Sequence, residues 1–321
     1  SRRVNSMDSA ELQKLAERTR SVREAGFGLL LASGVLAFFL FVPLGQSKST
    51  AAPVTLATST TPYAFAHVSI EATAAVVYDL STKNILYAKN ADAQLPLASL
   101  TKLLTVYAAI ATLAPDTPVT IPASATILDG PHIFKKGQMF SLFDLARLTL
   151  TASLNDGAVA IAEATAERQQ LSQSAMLASA AASLNLSQTF AVNGTGLDVN
   201  TAVSGGYGSA HDLAMLAGAL VAQAPDIAAA TTLHTVQAVS EGGTTVRVAN
   251  TDPIIDSIPR LLLSKTGYTD LAGGNLVLVF DAGMGHPIAI VVLGSSKESR
   301  FTDSMALINA TLAHFAGVSS L

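Results

Sequence analysis

Cysteine and tryptophan are absent from the 321 residues, and charged side chains make up only 13% of them. Without cysteine the chain has no disulfide, no thiolate nucleophile and no cysteine-ligated zinc site. Neither sign of charge dominates: 19 basic against 23 acidic residues give a net charge of -4, too little positive field for nucleic acid to be a partner. No H-E-x-x-H helix and no G-x-S-x-G elbow occurs, so zincin chemistry and the elbow type of serine hydrolase are unsupported. No metal or organic cofactor is called for. What remains is apolar, with 50% hydrophobic residues, and the length suits two domains or one large one.

Hydrophobicity is concentrated at one place. Phe27 to Leu44 is free of charge and as a helix would extend roughly 27 Å, close to the hydrocarbon thickness of a bilayer. Arg2, Arg3, Lys14, Arg18, Arg20 and Arg23 precede it, and Lys48 alone follows closely. That bias orients the N-terminus toward the cytoplasm. The expected organisation is a cytoplasmic segment at 1–25, an uncleaved transmembrane signal anchor at 26–45, a Ser/Thr/Ala/Pro tether at 46–69, and a catalytic domain at 70–321 outside the membrane.

Within that domain, Ala72–Leu80 and Ile85–Lys89 read as strands and Ser99–Leu113 as a helix ended before Pro115. Leu142–Ala152, with Ser141 as N-cap, Gly157–Ala166, Met176–Leu184 and Ala210–Ala224 read as further helices. Strands return at Arg260–Lys265, Asn275–Asp281 and Ile288–Leu293, and Thr302–Phe315 closes as an amphipathic helix. Two early strands and three late ones around a helical insertion predict an α+β fold with one antiparallel five-stranded sheet.

Three short motifs punctuate this pattern: Ser99-Leu100-Thr101-Lys102, Ser153-Leu154-Asn155 and Lys265-Thr266-Gly267. Residues three apart on a helix share a face, so Lys102 can reach the Ser99 hydroxyl. A serine needs an adjacent base to act as a nucleophile. A lysine serves if burial or a second cation, such as Lys265, lowers its pKa. Each motif alone is weak, since S-x-x-K often marks an ordinary helix start and K-T-G a strand running into a turn. S-x-N also occurs twice, the second time at Ser183-Leu184-Asn185.

The motifs sit in longer segments: AVVYDLSTKNILYAKNADAQLPLASLTKLLTVY, FSLFDLARLTLTASLNDGAVAIAEA, TFAVNGTGL, YGSAHDLAML and LLLSKTGYTDLAGGNLV. Over about residues 70 to 315 the chain resembles the D-alanyl-D-alanine carboxypeptidases, the low-molecular-mass penicillin-binding proteins. The resemblance implies a β-lactamase/DD-peptidase-like sheet with helices on both sides, and hydrolysis of peptidoglycan stem peptides through an acyl-enzyme. β-Lactams would be inhibitors. It further implies Ser99 as nucleophile, Lys102 as its base, Ser153 as a proton relay to the leaving amine and Asn155 as a contact to the substrate backbone. Lys265 would tune the cluster, Thr266 and Arg300 would bind the substrate carboxylate, and the amides of Ser99 and Tyr268 would form an oxyanion hole. Gly267 would permit close approach of the substrate, and Ser183 and Asn185 would be structural.

The sequence departs from the family pattern at Leu154, which stands for a small residue and is expected to narrow the cleft, and in VNGTGL, which lacks the usual proline. Two rival readings are weighed beside it. A class A β-lactamase would carry a glutamate where Ala181 precedes Leu184-Asn185, and a non-catalytic cell-wall or β-lactam sensor would lack some of the reactive groups present here.

Overall fold

A computed structural model describes residues 63–127, 132–283 and 285–317. The expected segment at 1–25, the expected span at 26–45 and the tether up to residue 62 lie outside them. Among the described residues no helix is long and apolar enough to cross a membrane.

Five strands form one antiparallel sheet: β1 (Ala74–Asp79), β2 (Asn84–Lys89), β3 (Leu261–Thr269), β4 (Gly273–Asp281) and β5 (Pro287–Ser295), in the order β3-β4-β5-β1-β2. Alternation along each strand sends side chains to two separate cores. Val76, Val277, Val279 and Val291 face the larger one, while Val77, Leu276, Leu278, Ile290 and Val292 face the smaller. With both faces covered, β1 is buried at every position, which explains its unbroken AAVVYD run.

Among the described residues six α-helices lie between β2 and β3: α1 (Thr101–Ile110), α2 (Leu142–Ala152), α3 (Asn155–Gln169), α4 (Gln173–Ser183), α5 (Ala210–Gln223) and α6 (Pro225–Ala230). Leu213, Leu216 and Leu220 of α5 belong to the larger core, and Leu307 and Ile308 of the last helix, α7 (Ser299–Ala316), belong to the smaller. The α+β architecture, the strand count and the helical insertion are those expected from the sequence. Ser141 caps α2 as expected, its hydroxyl accepting from the Asp144 amide at 3.1 Å, and Ser172 and Ser209 cap α4 and α5 in the same way.

Several elements differ from expectation. The helix predicted from Ser99 begins at Thr101, after a single 3₁₀ turn at Ala98–Leu100 whose first residue, Ala98, holds φ +50°. It ends at Ile110 rather than Leu113. β3 runs on to Thr269, so K-T-G lies within a strand and is not a strand end. β4 begins at Gly273, two residues before the strand start expected at Asn275. A side chain on Gly274 would collide with the Ser296 carbonyl. A hairpin of Thr235–Val239 with Thr245–Ala249, a ladder of Pro118–Thr120 with Met139–Ser141, and α6 were not anticipated. Within the stretch read as tether, Ala64 and Phe65 are buried in the smaller core, and the Phe65 ring stacks on Tyr87 at 5.7 Å.

Candidate active site

The 3₁₀ turn carrying Ser99 lies at the N-terminal end of α1, which drives Lys102 into the interior. Lys102 Nζ is 2.6 Å from Ser99 Oγ, and it also donates to Asn155 Oδ1 at 2.8 Å and to the Thr195 carbonyl at 3.1 Å. The side chain has no solvent exposure. Burial pushes its pKa down to about 7, against a smaller upward pull from Asp156. Of the two expected causes, burial and a second cation, loss of water is the leading one. Lys265 is itself lowered well below the ordinary lysine value, first by burial and then by the Lys102 and Arg300 cations.

The second motif joins two helices. Ser153 ends α2 in the left-handed conformation, φ +59°, and Asn155 opens α3. This bend turns the Ser153 hydroxyl to Lys265 Nζ, 2.8 Å away, while Asn155 faces Lys102. Leu154 points elsewhere: it is buried in the larger core, so the narrowing of the cleft expected from it does not occur. Ser183 and Asn185 end α4, the Ser183 hydroxyl donating to the Ala180 carbonyl, and take no part in this cluster.

The third motif lies on β3, an edge strand, where some backbone groups have no ladder partner. Lys265 Nζ also donates to the Thr266 carbonyl at 2.6 Å, and the Thr266 hydroxyl meets that of Thr251 at 2.7 Å. A Cβ at Gly267 would come within 3.0 Å of the Leu97 carbonyl and 3.3 Å of the Leu100 amide nitrogen. This glycine thus permits a close approach of β3 to the turn that bears Ser99. Arg300 is only 7% exposed, which rules out a solvated surface arginine, and it donates to the Gly267 carbonyl at 2.6 Å. Tyr268 is exposed at 46% beneath the Lys297 ammonium.

Three contributors escaped the sequence reading. Asp156 Oδ2 accepts from the amides of Ile133 and Phe134 at 2.6 and 2.7 Å, fixing the loop beside Lys102. Asn193 Oδ1 accepts from the Thr195 and Gly196 amides and from the Thr195 hydroxyl, and so aims the Thr195 carbonyl at Lys102. A signal existed in the Asn-Gly-Thr-Gly run, though not its target. Thr251 is the third. A cavity of about 640 Å³ adjoins this corner, lined among others by Glu163, Thr195, Asp198 and Asp270.

Gly196 holds φ +76°, and a Cβ there would collide with the Ala98 carbonyl behind the turn that bears Ser99. Gly196→Ala is expected to lower stability by at least about 1–2 kcal/mol from the left-handed backbone alone. Thermal unfolding checks this, and an alanine variant as stable as the parent would contradict the packing described.

A serine hydroxyl held against a desolvated lysine, beside a hydroxyl paired to a second buried lysine on an edge strand, can activate an oxygen nucleophile and return a proton to a leaving group. The fold is that of the DD-peptidase class of penicillin-binding proteins. The chain belongs to the D-alanyl-D-alanine carboxypeptidase family, whose model matches residues 58–297. It is 31% identical over 265 residues to D-alanyl-D-alanine carboxypeptidase DacD of Salmonella typhimurium, an alignment covering 79% of this chain and 66% of that protein. It is 30% identical over 241 residues to a D-alanyl-D-alanine endopeptidase of Pseudomonas aeruginosa, covering 73% and 74% of the two chains. The ampicillin-bound crystal structure of penicillin-binding protein D2 from Listeria monocytogenes superposes with a TM-score of 0.64 at 27% identity, covering 76% of this chain and 98% of that one.

Proposed function

We propose that the chain is a serine-type D-alanyl-D-alanine carboxypeptidase acting on peptidoglycan stem peptides, and that β-lactams acylate its Ser99. The observation that carries this reading is the 2.6 Å approach of Lys102 Nζ to Ser99 Oγ with burial holding the lysine pKa near 7. In the first step the neutral Lys102 amine takes the Ser99 proton while Oγ bonds to the carbonyl carbon between the two D-alanines. The Ser99 and Tyr268 amides receive the oxyanion. A preorganised donor of that kind contributes about 10²–10³ in rate. The C–N bond then breaks, and the departing amine takes a proton through Ser153, whose hydroxyl is held by Lys265. Thr266 and Arg300 hold the substrate's terminal carboxylate, and Asn155 contacts its backbone. Water finally attacks the ester and releases the shortened peptide, restoring the Ser99 hydroxyl. The position of the class A β-lactamase glutamate is filled by Ala181, which offers no base for rapid release of a penicilloyl group.

The uncharged run from Phe27 to Leu44 supports a placement of this domain outside the cytoplasmic membrane, anchored through its N-terminal side. Incubation with a defined pentapeptide muropeptide is expected to release free D-alanine and leave a tetrapeptide. Cleavage of cross-linked dimers without release of D-alanine from monomers would replace the carboxypeptidase assignment with an endopeptidase one.

A further inference from the structure

Residues 250–252 belong to none of the three motifs, yet they grip both halves of the site. Asn250 anchors the segment, its side-chain amide donating to the Thr231 and Leu233 carbonyls at 2.7 and 2.9 Å. The Thr251 amide donates to the Thr151 carbonyl at 3.2 Å, two residues before Ser153. The Thr251 hydroxyl contacts that of Thr266. Asp252 is 4% exposed; one carboxylate oxygen accepts from the Ser264 hydroxyl at 2.5 Å and the other from the Ile254 amide at 2.9 Å. The residues on either side of Lys265 are therefore both held by neighbours in this one segment.

A carboxylate so nearly removed from water requires compensation by hydrogen bonds and opposite charge. The cations whose fields meet Asp252 are Lys265 and Arg300, with Glu298 acting on Arg300 from the start of α7 and Lys102 acting on Lys265 from α1. We propose that Asp252 is a positioning residue of the reaction, the fixed counter-charge to Lys265 and Arg300, which also seats Lys265 against Ser153 through its bond to Ser264. This rests on the reading of Ser99 as the acylated serine. The sign of its influence follows from its neighbours. Burial, Lys102 and Arg300 all favour neutral Lys265, and the Asp252 charge is what opposes them.

Asp252→Asn removes the charge while keeping size and an acceptor for Ser264. The test is the second-order rate of acylation by a fluorescent penicillin as a function of pH, with thermal unfolding in parallel. The alkaline limb of the profile, which reports loss of the Lys265 proton, is expected to move to lower pH by about one unit, as a lost neighbouring opposite charge does. Asp252→Glu is expected to return it toward the parent. Ser264→Ala, which leaves the charge in place, should slow acylation at every pH without moving the limb. An unmoved limb in folded Asp252→Asn overturns the inference, whatever the change in overall rate. If that variant does not fold, a displaced limb in Ser264→Ala overturns it instead. A labelled parent with either result leaves the acyl-enzyme reading standing, whereas a parent that takes no label overturns both.

Discussion

Alanine at position 99 is expected to abolish covalent capture of penicillin and to reduce peptide hydrolysis on the order of 10⁶-fold, the scale seen when an activated serine nucleophile is deleted. The structure gives reason to expect that the variant folds. Ser99 is partly exposed on a short turn, and Lys102 keeps hydrogen bonds to Asn155 Oδ1 and the Thr195 carbonyl when the hydroxyl is gone. Intact-mass measurement after incubation with a penicillin reads the outcome directly. The parent should gain one penicilloyl group and the variant none. Equal adducts on both proteins would place the nucleophile elsewhere and remove the basis of the proposed mechanism.

Lys102→Arg carries the next largest effect. Guanidinium remains charged at every accessible pH, so the substitution keeps the cation and removes the base. Acylation should fall by about 10²–10⁴, the usual worth of a positioned base. The parent's pH profile should show why. A lysine titrating at about 7 is protonated and inactive below that value and free to accept the serine proton above it, so the acid limb of acylation should bend near pH 7. In the arginine variant that limb should vanish along with most of the rate. A parent profile flat between pH 5 and 9 would show that the amine is not the proton acceptor.

The pairing of Ser99 with Lys102 was legible because it is local, the two lying three residues apart across the 3₁₀ turn and the first turn of α1. The strands were legible because burial on both faces leaves uninterrupted apolar runs such as AAVVYD. What escaped is of two kinds. The partners that complete the site arrive through the fold, with 93 residues separating Lys102 from the Thr195 carbonyl and 12 separating Asp252 from Ser264. A backbone carbonyl carries no residue identity, and a buried aspartate reads in sequence like any exposed one. Elements were missed where burial leaves little pattern. α6 is six residues long and half alanine, without a recurring apolar stripe. The hairpin from Thr235 to Ala249 alternates as a strand should, but with Thr, Gln and Arg on its open face and apolar side chains no larger than valine. Leu154 was noticed for its unusual size beside a motif and assigned to the cleft, whereas it packs in the larger core. Chain direction in three dimensions decides whether a residue beside a motif faces substrate or core.

The strand order carries a consequence for biogenesis. β1 pairs with β2 on one side and with β5 on the other, so one edge of the earliest strand waits for almost the last one made. Until some two hundred residues have followed it, the hairpin of β1 and β2 keeps a long apolar margin open to pairing with other chains. Closure of so distant a pair is intrinsically slow. Completion of the sheet is therefore governed by the arrival of β5, and a chain interrupted before Pro287 would be a candidate for aggregation.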